Sequence, residues 1–161
     1  MGFDIYGRKP TTPEGEYFRN NVWWWRPLAI YIKFVAPEPL YNKCKDWHTN
    51  DGFGLDANDS LKLADLLQAE IDSGGTKKYE RTYQCGLERL PNVQCDLCEG
   101  TGTRKPPPHR GAGDPLDGGI KCNACDGEGY RDDWAKSYPF EVKNVQEFVT
   151  FLRGCGGFKI C

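Results

Sequence analysis

Four of the eight cysteines in this chain of 161 residues fall in a repeat. Cys95-Asp96-Leu97-Cys98-Glu99-Gly100-Thr101-Gly102 and Cys122-Asn123-Ala124-Cys125-Asp126-Gly127-Glu128-Gly129 both read C-x-x-C-x-G-x-G. Two residues between cysteines let one tight turn aim both sulfurs at a common point, and the following glycines allow positive φ and close backbone approach. Each copy is half of a tetrahedral thiolate site, which predicts one structural Zn2+ held by Cys95, Cys98, Cys122 and Cys125. The 23 residues between Cys98 and Cys122 exceed the spacing of about 15–20 common for such pairs, an excess that a loop can absorb. Four cysteines fill the coordination sphere and leave no position for water or substrate, so the metal reads as structural and not catalytic. A dithiol switch is the weaker reading, because redox C-x-x-C pairs open a helix and both pairs here run into glycine and turn residues.

Other residues offer less chemistry. The insert 103–120 is rich in Pro and Gly and is expected to be a flexible surface loop. Its Arg104, Lys105 and Arg110 would either touch phosphate or an acidic partner or belong to a solvated connector. The segment Gly15–Leu28 holds Trp23, Trp24 and Trp25 in a row; on a helix they sit about 100° apart, so two are expected in the core and one near the surface. Core packing is the plain reading of this run. The sharper one is a pocket in which Arg19 and Arg26, beside Tyr17, Trp23 and Trp24 or Trp25, stack on a base and grip a phosphate or an acidic peptide. A composite enzyme site would need His48, Asp51 and Arg26 to converge, and a thiol dyad would need Cys44 or Cys85 beside His48. Cys44, Cys85, Cys155 and Cys161 otherwise read as buried thiols, with Cys85 also a candidate supplementary ligand. The acidic stretch from Asp51 to Asp59 fails the EF-hand pattern, and no P-loop, G-x-G-x-x-G after a strand or H-E-x-x-H occurs.

The elements that must position these residues are partly legible. Gly2–Gly7 alternates like a strand, as does Phe158–Cys161 after the Gly156-Gly157 turn, and the two are expected to pair. Tyr138–Val142 reads as another strand, followed by Asn144 as N-cap, with Glu147 three residues on, of a helix reaching about Arg153 and ended by Gly154. Val145, Phe148, Val149 and Leu152 form its apolar face. A second helix runs from Asn58 or Asp59 to Gly74-Gly75, its stripe Leu61, Ala64, Leu67 and Ile71 widened by Leu63 and Leu66. The expected fold class is α+β: a small mixed domain with two main helices and short terminal strands, plus a zinc-knuckle β-hairpin module. Residues 1–94 and 130–161 would build the domain, and 95–129 the module.

Composition narrows the functions. The 21 basic and 23 acidic side chains leave a net charge of −2, divided evenly as 12 against 13 in 1–94 and 9 against 10 in 95–161. A duplex nucleic-acid binder needs a basic excess and a nucleic-acid mimic the opposite, so both are disfavoured. No apolar run approaches the roughly 18 residues of a membrane span, and the first 25 residues lack a signal-peptide pattern. These features, with paired metal-ligand cysteines, predict a soluble protein of the reducing cytoplasm with no membrane partner.

The paired repeats resemble those of the zinc-binding region of DnaJ-type chaperones, and similar modules occur in small interaction proteins such as anti-TRAP. The resemblance covers residues 95–129 and implies paired knuckles on short β-hairpins with the same four cysteines as ligands. Those chaperones carry four repeats and two zincs, and no J-domain His-Pro-Asp tripeptide occurs here, so co-chaperone activity is not implied. Met1–Gly7, Gly15–Leu28 and Phe148–Cys161 are similar to a group of uncharacterised small bacteriophage and prophage proteins. That likeness brings no activity but implies a host bacterial cytoplasm and a role against host defences. The function expected is that of a non-enzymatic zinc-binding accessory protein that binds a host protein. The alternatives are a small-ligand binder that sequesters a nucleotide messenger through the Arg/Trp segment, a single-stranded nucleic-acid binder, and an enzyme.

Overall fold

The computed structural model describes residues 2–104 and 119–161, which divide into two compact units. The first comprises Met1–Gly86 with Ser137–Cys161, and the second is Leu87–Lys136.

The first unit is built on an antiparallel three-stranded sheet with β1 (Gly2–Gly7) in the centre, flanked by β2 (Tyr17–Asn21) and β7 (Phe158–Ile160). Ile5 stands opposite both Phe18 and Ile160, so the two chain ends pair as expected. β2 was not anticipated, although Phe18 and Asn20 point inward and Tyr17 and Arg19 outward along it. Five helices occur among the described residues: α1 (Val22–Val35), α2 (Glu38–Tyr41), α3 (Ala57–Asp72), α4 (Gly75–Glu88) and α5 (Val142–Gly154). The protein is thus a mixed α+β fold, with more helix than the two segments legible in the sequence.

Side-chain caps set the starts of α1 and α3. The Asn21 side chain accepts hydrogen bonds from the amides of Trp23 and Trp24 at 3.0 and 3.1 Å, and Asp56 accepts from the amide of Asp59 at 2.8 Å; both satisfy otherwise unpaired first-turn donors. With Asp56 as cap, the buried side of α3 is Ser60, Leu63, Ala64 and Leu67, and Leu61, expected in the stripe, is 43% exposed. α5 lies along α3, tied by Arg153 to Asp65 at 2.9 Å and Gln146 to Gln68 at 3.1 Å. Its Val145, Phe148, Val149 and Leu152 are buried as the spacing requires.

Three expectations are corrected here. Residues 138–141 form no strand, because the outer edge of β7 is already taken: Phe158 and Ile160 donate to the carbonyls of Leu55 and Phe53 at 2.9 and 2.7 Å. α5 starts at Val142 with Glu141 at the cap position, and Asn144 instead accepts from the side chain of Asn20 at 2.9 Å. Of the tryptophan run, one residue and not two is fully buried: Trp25 stacks on Phe3 and Trp47 with centroids 5.5 and 6.4 Å away, and its indole N–H donates to the Trp47 carbonyl at 2.5 Å. Trp23 and Trp24 are half-buried.

Among the described residues, the second unit holds four short strands, β3 (Val93–Gln94), β4 (Thr103–Arg104), β5 (Ile120–Lys121) and β6 (Tyr130–Arg131). β3 pairs with β6 and β4 with β5. The strand before each C-x-x-C therefore pairs with the strand after the other one, so neither repeat closes a hairpin on itself. Thr103, Arg104 and Ile120 belong to these strands and not to the expected loop 103–120, because the Cys122 amide donates to the Gly102 carbonyl at 2.9 Å and extends the ladder. Lys105, His109 and Arg110 lie outside the described residues. Among the described residues, no helix is long and apolar enough to cross a membrane.

Candidate metal centre

The two repeats fold as near copies. The residue after each second cysteine has positive φ, 51° at Glu99 and 48° at Asp126, followed by 83° and 82° at Gly100 and Gly127 and by 74° and 81° at Gly102 and Gly129. This left-handed path accounts for glycine at the last two sites. The copies are joined reciprocally: the Cys95 amide donates to the Gly129 carbonyl at 2.8 Å, and the Cys122 amide to that of Gly102 at 2.9 Å.

This exchange brings four sulfurs together. The ligand atoms of Cys95, Cys98, Cys122 and Cys125 lie within 4.8 Å of one another, with Cys95 to Cys122 at 3.9 Å and Cys98 to Cys125 at 3.6 Å. A tetrahedron with metal–sulfur bonds of about 2.3 Å has sulfur–sulfur edges of about 3.8 Å, which these separations bracket. A disulfide needs about 2.05 Å, so the quartet is not two oxidised pairs. The donors are 0–7% exposed and fit a soft tetrahedral divalent ion.

Hydrogen bonding prepares the sulfurs for charge. The Gly129 amide donates to Cys125 Sγ at 3.2 Å, and Gly102 offers the same backbone contact to Cys98. Burial raises the Cys98 thiol pKa, but the Gly102 amide and the thiols of Cys125, Cys95 and Cys122 outweigh it and bring it down to about 7. Cys125 moves the other way, to about 11, through burial and the thiols of Cys98, Cys122 and Cys95, with the Gly129 amide opposing. A divalent cation bound by the quartet would favour thiolate ligands.

The remaining candidates are scattered. Arg19 projects from β2, 3.8 Å from Asp4, a carboxylate that also accepts from the Tyr17 hydroxyl. Trp23 packs on the Tyr138 ring at 4.8 Å and Arg26 lies over the same ring at 5.9 Å. Trp24 instead lines a separate cavity of about 220 Å³ with Asn20, Glu141, Lys143, Asn144 and Glu147. The structure thus brings Trp23 and Arg26 together and leaves Arg19 and Trp24 elsewhere. Arg104 is a half-buried residue of β4.

His48 is exposed and donates its amide to Asp46 at 2.7 Å. Partial desolvation lowers its imidazole pKa; Asp46 opposes this, and Arg26 and Lys33 add to it. Cys44 is buried, donates to the Asp46 carbonyl at 3.5 Å, and is pushed by burial up to about 12, so it stays a neutral thiol. Cys155 is also buried, whereas Cys161 is half-buried and Cys85 stands exposed on α4, outside the quartet.

One feature of the metal module was not anticipated. A groove of about 430 Å³ beside Cys95 is lined by Asp96, Leu97, Ala124, Arg131 and Trp134. Leu97 and Trp134 are 60% and 61% exposed, and Arg131 is held by Asp96 at 2.7 Å with its guanidinium 4.8 Å from the Trp134 ring centre. The available signal was an apolar residue, Leu97 and Ala124, at the second position inside both C-x-x-C turns. No family model, curated protein or solved structure matches the chain.

Proposed function

We propose that the protein is a non-enzymatic zinc-binding protein that acts by binding a protein partner. One observation carries this reading: among the described residues, the buried cluster of the second unit consists of the four cysteines alone. A unit of this size without an apolar core depends on a metal for its fold. Zinc is the ion assigned, because it accepts a tetrahedral set of four thiolates and adds no redox chemistry. The closed site holds the chain in place, and Leu97 and Trp134 beside it offer the apolar anchor and aromatic contact that partner surfaces use.

The likeness of both chain ends and the Arg/Trp segment to bacteriophage proteins supports a host bacterial cytoplasm and a host protein, such as a defence factor, as the partner. The nucleotide-sequestering reading comes second, since Arg19 and Trp24 stand apart from the pair Trp23 and Arg26. The test is a photo-crosslinking residue in place of Trp134, activated in bacterial cells that produce the protein. A discrete protein adduct that disappears with Leu97→Asp supports the reading. Absence of any adduct, together with a small molecule that copurifies with the chain, contradicts it.

A further inference from the structure

α1 turns an apolar face to solvent. At about 100° per residue, Trp23, Ile30 and Phe34 fall within about 40° of one another, with Arg26 and Lys33 along one flank. Ile30 is 51% exposed and Phe34 72%, while Trp25, Leu28, Ala29 and Ile32 fill the core from the opposite side. Ring contacts extend the face at both ends: the Phe34 ring lies 5.8 Å from that of Tyr79 and 6.4 Å from that of Tyr31, and Trp23 meets Tyr138 at the other end.

On α1 itself the charge has one sign: the helix contains no Asp or Glu, and Arg26 and Lys33 are exposed, while off the helix Lys78 and Glu80 flank Tyr79 in the chain. The two α1 cations act on the same neighbour, His48, and Asp46 acts on it with the opposite sign. In a chain of net charge −2 this is a local reversal.

We infer that this face of α1 docks an acidic amphipathic helix of a partner protein, with apolar side chains over Ile30 and Phe34 and carboxylates toward Arg26 and Lys33. The inference rests on the reading that the protein works by binding another protein, and it supplies the chemistry of that partner. Anchors at three-, four- and seven-residue spacing are how one helix seats another, and opposite charges at the rim set orientation and association rate. An anionic membrane or a nucleic acid calls for a denser field, about four to eight clustered cations for a lipid surface, which two cations on α1 do not provide.

The test uses the full chain and a fluorescent synthetic helical peptide with leucines at three- and four-residue spacing and glutamates elsewhere. A counterpart with lysines replacing the glutamates is the control. The expected result is binding of the acidic peptide that weakens with added salt, no binding of the basic one, and a loss of at least about tenfold for Phe34→Ala and for Lys33→Glu. Both positions are solvent-facing, and an unchanged melting temperature confirms that each variant is folded. Equal affinity for the two peptides, unchanged affinity in both variants, or preference for phosphatidylglycerol vesicles overturns the assignment. So does a dimer of the protein alone that Phe34→Ala dissolves, since a second copy would then own the face. The broader reading is decided separately by the Trp134 crosslink, which neither variant touches.

Discussion

The α-carbon of Gly102 sits so close to the carbonyl of Gly127 that a β-carbon added to it would lie 2.1 Å from that oxygen. Gly129 stands in the same relation to Gly100, at 2.2 Å. Each repeat thus uses its last glycine to admit the backbone of the other, and both glycines have positive φ. Gly102→Ala and Gly129→Ala are each expected to destabilise the second unit by about 2 kcal/mol or more, combining left-handed strain with a backbone clash. Gly86→Ala, on α4 with nothing within 4 Å, is expected to be neutral or stabilising by about 0.5–1 kcal/mol. Denaturant melts of the three variants check the contrast.

The three consecutive tryptophans are predicted to behave differently. Trp25→Ala removes a fully buried ring and its hydrogen bond to Trp47, and should cost about 3–5 kcal/mol of the first unit's stability. Trp24→Ala, at a half-buried site, should cost about 1 kcal/mol or less. Equal losses measured by urea unfolding would contradict the packing described for Trp25.

Asp59 contributes to the pH dependence of the first unit. Its carboxylate is buried and accepts from Lys43 Nζ at 2.6 Å and Lys62 Nζ at 3.5 Å. The Lys43 hydrogen bond, against the opposing effect of burial, holds its pKa below the model-compound value of 3.8. Because the folded state binds this proton less readily than the unfolded state, the contribution is fully present above the unfolded pKa and is lost as pH falls through the lower folded value. Asp59→Asn should therefore be less stable than the parent at neutral pH, with the gap closing below about pH 4. A gap that widens on acidification would reverse the sign.

The thiols outside the quartet should separate by reactivity. With iodoacetamide at neutral pH, exposed Cys85 is expected to alkylate first, while buried Cys44 and Cys155, whose pKa values are raised by burial, react only on unfolding. Peptide mass mapping over time reads the order, and alkylation of Cys44 at the rate of Cys85 would contradict its burial.

The cysteine quartet was legible because the motif carries its own stereochemistry: the glycines of C-x-x-C-x-G-x-G mark the left-handed turns that the backbone adopts. The apolar spacing of α5 and the alternation at the two chain ends were legible for the same local reason. What escaped depended on distant partners. Trp25 is distinguished from Trp24 by the Asn21 cap, which sets the phase of α1, and by Trp47, neither of which the local pattern weighs. α4 was missed because Lys77, Lys78, Glu80 and Arg81 surround the two tyrosines, Tyr79 and Tyr83, that face the core. The strand expected at Tyr138–Val142 had suitable residues, but the outer edge of β7 was already taken by the carbonyls of Phe53 and Leu55.

The measurement that tests the metal site most directly is native mass spectrometry of the protein purified without chelator, set against its denatured mass. The account predicts a mass excess of one zinc per chain, lost in Cys95→Ser and Cys122→Ser together with the fold of the second unit, because metal-binding free energy there is folding free energy. A chain that carries no metal while its second unit remains folded, or variants that retain full zinc occupancy, would contradict it.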